Sequence, residues 1–158
     1  MTIIGFNFAS ITASRDEGIT GKVNINNNVT ITNIEEKTLN LGAQQKALKV
    51  DFSYKTEYVS SKTVGKIDIL GNMLYLAEEK KAKEILDAWK STKQVDPNFM
   101  LNVINTTLNK CNIQALVIAD TIGLPAPVKL PQAQLKEEQL AQQTTAAPIS
   151  KDNKKSKK

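Results

Sequence analysis

From residue 4 to residue 76 the apolar side chains recur every second position, and from residue 82 to residue 122 they recur every third or fourth. This single change of period restricts the chain to folds in which a run of strands precedes a run of helices. Ile4, Phe6 and Phe8 alternate with polar or small residues, as do Val23 and Ile25, and Val29 and Ile31 keep the same phase across Asn27. Leu48, Val50, Phe52, Tyr54 and Tyr58 form one face of a third strand whose other face is Lys49, Asp51, Ser53, Lys55 and Glu57. One wet face of this kind belongs to a half-buried antiparallel strand. After a turn near Ser60 to Thr63, Ile67, Ile69, Met73 and Tyr75 share one face while Leu70, Leu74 and Leu76 share the other. Apolar residues on both faces predict that the end of this strand is covered on both sides, and Gly71 marks a bulge or a close approach. Four strands in meander order are the economical reading.

Ala82, Ile85, Leu86 and Trp89 then fall at i, i+3, i+4 and i+7, with acids early and lysines late, as a helix dipole favours. Asp96-Pro97 is an N-cap followed by a proline at the first helical position. The helix it opens carries the seam Met100, Ile104, Leu108, Cys111, Ala115, Ile118, Ile122 and stops at Gly123. Leu101, Val103, Ile113 and Leu116 lie off that seam, so one apolar side covers the sheet and another seeks a partner. Within the core, Phe52, Ile67, Ile104 and Leu108 are expected to be buried, and Leu108→Ala is expected to cost about 2–5 kcal/mol. Prolines at 125, 127 and 131 then hold the chain extended. The expected architecture is an α+β domain over residues 1–131: a four-stranded antiparallel sheet, two helices packed on one face, and an extended Pro-rich strap. Residues 132–158 are rich in Gln, Ala, Thr and Lys and are expected to form a disordered tail.

Composition excludes much chemistry. The chain has no histidine and one cysteine, which removes imidazole bases, His-dependent triads and His-type zinc sites. The lone thiol fits a reducing compartment. No stretch approaches the ~20 apolar residues of a membrane helix. The start MTIIGFNFAS lacks the basic opening of a signal peptide, so a cytoplasmic protein is expected. Residues 1–130 hold 15 Lys and Arg against 13 acids, and residues 131–158 hold 6 Lys against 3 acids. The basic balance is thus largely a property of the tail, and the body lacks the cation cluster that a phosphate backbone requires. No catalytic, metal-binding or cofactor-binding residue is expected.

The strap Gly123, Leu124, Pro125, Pro127, Leu130, Pro131, following a long helix and preceded by the strand GKIDILGNMLYL, resembles the SecB family of protein-export chaperones with its archaeal and toxin-linked relatives. In that family a long helix ends in a Gly-aromatic-Pro-Pro turn and a second Leu-x-Pro. The resemblance implies a homo-oligomer, dimer or tetramer, that holds unfolded polypeptides or preproteins in an apolar groove without ATP. Bacterial members lead into the long helix through Cys-Pro and aromatic-Pro-Tyr-Ala-Arg-Glu, where this chain has QVDPNFMLNVIN. They often carry a Cys/His zinc tail for the export motor, where this chain ends in lysines. The expected groove is lined by Leu124, Pro125, Pro127, Val128 and Leu130 of the strap together with Leu74 and Leu76 of the last strand.

Other features have plainer readings. Cys111 sits on the apolar seam beside Lys110 alone and reads as a structural thiol, and Trp89 reads as a core or interface residue. Lysines 80, 81, 83, 90 and 93 interleave with Glu78, Glu79, Glu84 and Asp87, as on a solvated helix face. The pairs Asp16-Glu17 and Glu35-Glu36 are adjacent in the chain and do not converge on a site. The tail KDNKKSKK is either a solubilising end or a contact for RNA, the ribosome or anionic lipid. A ribosome- or RNA-associated protein is therefore the alternative function, and an apolar groove also admits a small-molecule ligand.

Overall fold

A computed structural model describes residues 2–41 and 43–131. The strands are β1 (Thr2–Arg15), β2 (Asn24–Leu41), β3 (Ala43–Val59) and β4 (Thr63–Leu76), followed by the helices α1 (Glu79–Thr92) and α2 (Pro97–Ile122). They form the expected α+β architecture of one antiparallel four-stranded sheet followed by two helices. The tail from Gln132 lies outside the described residues.

The strand order corrects the meander. Strands β2, β3 and β4 pair in sequence, but β1 pairs with β4, giving the order β1-β4-β3-β2. This is a Greek key traced from the opposite end of the chain. The segment from Asp16 to Val23 therefore crosses from the end of β1, opposite Gly65, to the start of β2, opposite Val59. The Asp16 N–H donates to the Val64 carbonyl at 2.8 Å and pins that crossing to the start of β4.

The faces of β3 and β4 follow their alternation. Leu48, Val50, Phe52, Tyr54 and Tyr58 are buried, as are Ile67, Ile69, Met73 and Tyr75. In β1 the register shifts between Ile3 and Gly5 and again between Phe8 and Ser10. Ile3, Phe6 and Phe8 pack against the core while Ile4 is exposed, so the expected grouping of Ile4 with the two phenylalanines does not hold: one bulge residue reverses the phase. Gly71 is the close approach. A Cβ there would lie 2.5 Å from Phe52 Cζ and would collide with the Asn7 carbonyl oxygen.

Helix α1 buries Ala82, Ile85, Leu86 and Trp89, and the Lys93 ammonium sits 4.6 Å from the Trp89 ring centroid. Trp89 is thus a core aromatic with a cation on its face. Helix α2 begins as the sequence indicates, with the Asp96 carboxylate accepting from the Phe99 N–H at 3.2 Å and Pro97 in the first turn. Its buried row is Phe99, Val103, Thr107, Cys111, Ala115 and Ala119. Cys111 and Ala115 belong to the expected seam, whereas Ile104 and Leu108 are only half-buried beside it. The cause is steric: β3 presents the aromatic side chains Phe52, Tyr54 and Tyr58, and small residues let the helix lie close above them. Phe99→Ala is accordingly expected to cost about 3–5 kcal/mol. Leu108→Ala is expected to cost less than half of that, which urea titrations of the two variants would compare.

Candidate functional site

Helix α2 runs back over the sheet from Tyr75, whose ring meets Phe99 edge-on with centroids 5.1 Å apart, to the end of the sheet that contains Gly65. There it must stop and turn. Gly123 adopts φ 71°, its N–H donates to the Ala119 and Asp120 carbonyls, and the Leu124 N–H donates to Ala119 O at 2.8 Å. This is a Schellman-type ending, in which a left-handed glycine lets the chain leave the helix with its last carbonyls satisfied. The Arg15 guanidinium lies 3.4 Å from the Ile122 carbonyl oxygen, a cation at the negative end of the helix.

Leu124 is the anchor of the strap. It is 6% exposed, and its methyl groups occupy the space over Gly65, where a Cβ would come within 2.8 Å of Leu124 Cδ2. Beyond it the sheet grips the backbone through two proline carbonyls. Tyr58 Oη donates to Pro125 O and Asn27 Nδ2 donates to Pro127 O, both at 2.9 Å. Pro127 is buried. Asn27 is oriented in turn by the Thr56 hydroxyl, 2.8 Å from Asn27 Oδ1 and 3.0 Å from the Tyr54 oxygen, and Tyr54 donates to Asn112 Oδ1 at 3.0 Å. With one proton each, Tyr54 is tied to α2 and the Thr56–Asn27 pair to the strap, the two hydroxyls lying side by side on the helix-facing side of the sheet. Burial pushes the Tyr58 hydroxyl up to about 12, so it stays protonated and donating.

Between the strap and the start of β2 lies an open groove of about 790 Å³, lined by Val23, Asn24 and Ile25 on one side and by Ala126, Pro127, Val128, Lys129 and Leu130 on the other. Lys129 is the one titratable side chain on those walls. With no nucleophile beside a base, the groove can hold a ligand by shape, apolar contact and main-chain hydrogen bonds.

The structure brings Pro127, Val128 and Leu130 together on this groove. Leu124 and Pro125 hold the strap from behind rather than lining it. Leu74 and Leu76 are elsewhere. They alternate with the buried Met73 and Tyr75 and so point to the sheet face away from both helices, near Gly5 and Ile4. Among the described residues no helix covers that face, so the expected covering of β4 on both sides is not found. The missed contributors are Val23 and Ile25, which reach the groove through the crossing from β1, and Asn27. Asn27 did carry a signal, being a polar residue within the inward phase Ile25, Val29, Ile31; such a residue must find a partner.

Burial pushes the Cys111 thiol up to about 12, which leaves it a neutral packing group. Glu35 and Glu36 each pair with a separate lysine, Lys49 at 2.8 Å and Lys46 at 3.1 Å. No helix among the described residues is long and apolar enough to cross a membrane.

Sheet, helices and strap together define a SecB-like fold. Among solved structures, the SecB-like chaperone Rv1957 of Mycobacterium tuberculosis, in complex with a ChAD peptide from the Rv1956 HigA1 antitoxin, is similar, with a TM-score of 0.52 and 12% identity over 85% of this chain and 91% of that one. No family model matches the chain, and no curated protein sequence matches it.

Proposed function

We propose that the protein is an ATP-independent, holdase-type chaperone that binds non-native polypeptide or preprotein segments in the groove between the strap and β2. The observation that carries this reading is the groove itself: open, partly apolar, and walled by a proline strap fixed at both carbonyls. A fixed strap adds little ordering cost when a ligand binds. Affinity from dispersed apolar contacts is promiscuous in sequence and accompanied by a negative heat-capacity change. The fold shared with a peptide-bound chaperone supports the same reading.

The test is suppression of aggregation of a denatured client without nucleotide. The double variant Val128→Asp, Leu130→Asp is expected to lose at least half of the wild-type suppression while its thermal melt is unchanged, because Leu130 is 52% exposed and Val128 only half-buried. Leu124 is the wrong place for a charge, since the buried anchor would be destroyed along with the groove. If suppression is absent in the wild type, and RNA is bound in a salt-sensitive way lost on deleting residues 150–158, the RNA-associated alternative takes its place.

We further propose a homodimer or homotetramer. On the side of α2 opposite its buried row, Ile113 and Val117 lie one turn apart and are 66% and 56% exposed, and Leu101, at 58%, lies on the same side beyond Asn105 and Asn109; exposed apolar side chains on a long helix support a partner site. Light scattering should give a particle heavier than the 17.4 kDa chain; a monomer at micromolar concentration removes the proposal.

A further inference from the structure

We infer that the groove selects among non-native segments by charge: it favours apolar segments bordered by carboxylates over those bordered by lysine or arginine, and Lys129 and Lys22 set this preference. The inference rests on the polypeptide-binding reading and specifies which class of segment is bound.

The walls offer apolar contact from Val23, Ile25, Pro127, Val128 and Leu130, and a single charge, the Lys129 ammonium. Lys22 immediately precedes Val23, the first residue of the opposite wall, and like Lys129 it is exposed. One cation thus stands on the strap and another at the root of the β2 wall. Among the described residues neither lies within salt-bridge distance of an acid.

The neighbouring acids are engaged or turned away. Asp16 is held by Lys62 at 3.3 Å, and Glu17 follows it at the far end of the crossing from Lys22. Glu57, opposite Asn26, alternates with the buried Thr56 and Tyr58 and so lies on the other face of the sheet. Elsewhere on β3 the arrangement is different: Lys46 is neutralised by Glu36 and Glu79, and Lys49 by Glu35 and Asp51.

Exposed charges of this kind add little to overall affinity but discriminate between ligands. A carboxylate entering the groove is attracted by both ammonium groups. A ligand ammonium is repelled by both and finds no acid on either wall to receive it. The chain as a whole carries a net charge of +5, which acts in the same direction at longer range by steering acidic segments toward the protein. Apolar side chains of the segment then fill the groove, while its carboxylates meet the lysines at the solvent-exposed rim.

The experiment uses the full chain and three labelled peptides that share the core Leu-Val-Ser-Leu-Val and are flanked on each side by paired Asp, Ser or Lys. At low ionic strength the Asp form is expected to bind about tenfold more tightly than the Lys form, with the Ser form between them, and the gap should shrink as salt is raised. The double variant Lys22→Glu, Lys129→Glu should reverse the order while binding the Ser form as the wild type does. Both lysines are exposed, so its thermal melt should be unchanged. A variant with the same change of net charge on α1, Lys83→Glu, Lys90→Glu, beside Glu36 and away from the groove, should keep the wild-type order. Equal binding of the Asp and Lys forms by the wild type, or tighter binding of the Lys form, overturns charge selection and leaves the chaperone reading standing. A preference that survives Lys22→Glu, Lys129→Glu, or that the α1 variant loses to the same extent, overturns the assignment to these two lysines. Failure of all three peptides to bind overturns the polypeptide-binding reading as well.

Discussion

Gly71→Val is expected to be the most damaging single substitution in the sheet, costing about 3 kcal/mol or more. The Phe52 ring lies directly over this glycine and stacks on Phe6, with centroids 5.1 Å apart and planes inclined by 28°. On the other side of the same position stands the Asn7 carbonyl oxygen of the paired strand. A branched side chain must push away either an aromatic ring in the centre of the core or the backbone of β1, and neither can yield without losing the packing it makes. Urea titration by circular dichroism would measure the loss; a variant as stable as the wild type would show that β1 is not held in this register. Phe52→Ala combined with Gly71→Val should recover part of the loss, since residues in contact do not add independently.

Gly65→Val is expected to act on function more than on folding. Its first new carbon would meet Leu124 Cδ2 at 2.8 Å and the Ser14 carbonyl oxygen at 3.2 Å, and the easier movement is to lift Leu124. Exposing a leucine costs on the order of 2 kcal/mol, and that loss falls on the strap. The groove wall should detach while the sheet and α2 persist. Far-UV circular dichroism should be unchanged, amide exchange over residues 124–130 should accelerate, and aggregation suppression should drop at least as far as in the Val128→Asp, Leu130→Asp variant. Retained suppression with a detached strap would show that the strap is not a wall of the binding site.

Most of the element boundaries could be read in advance because they are local. The alternation in β3, the Asp96-Pro97 start and the Gly123 stop of α2 are each written within a few residues, and the structure follows them. What could not be read depends on distant partners. Whether β1 lies beside β2 or β4 is decided by pairing between residues as far apart as Thr2 and Leu76, about which periodicity says nothing. The bulge at Ile4 adds one residue and exchanges the faces of what precedes it, so alternation alone placed Ile4 on the wrong side. On α2 the choice of Val103 and Thr107 over Ile104 and Leu108 follows from the aromatics on β3, and that of Phe99 from the Tyr75 ring of β4, demands of shape invisible in the helix itself. The strap was legible from its prolines. The far side of its groove was not, because Val23 and Ile25 arrive there through the crossing from β1, and Leu74 and Leu76 share an apolar character with the strap but not a face of the sheet.

The pairing of β1 with β4 also has a consequence for synthesis. Strands β2, β3 and β4 can zip together as they emerge from the ribosome, since β3 pairs with β2 and β4 with β3. The first strand to be made has no neighbour until the last is finished, and closing so long a loop slows the final step. Through that interval Phe6 and Phe8, later covered by the core, remain an unpaired aromatic strand, the sort of segment that aggregates when left open. A newborn copy thus passes through a state that displays an extended, uncharged, apolar segment, which belongs to the class of ligand proposed for the groove.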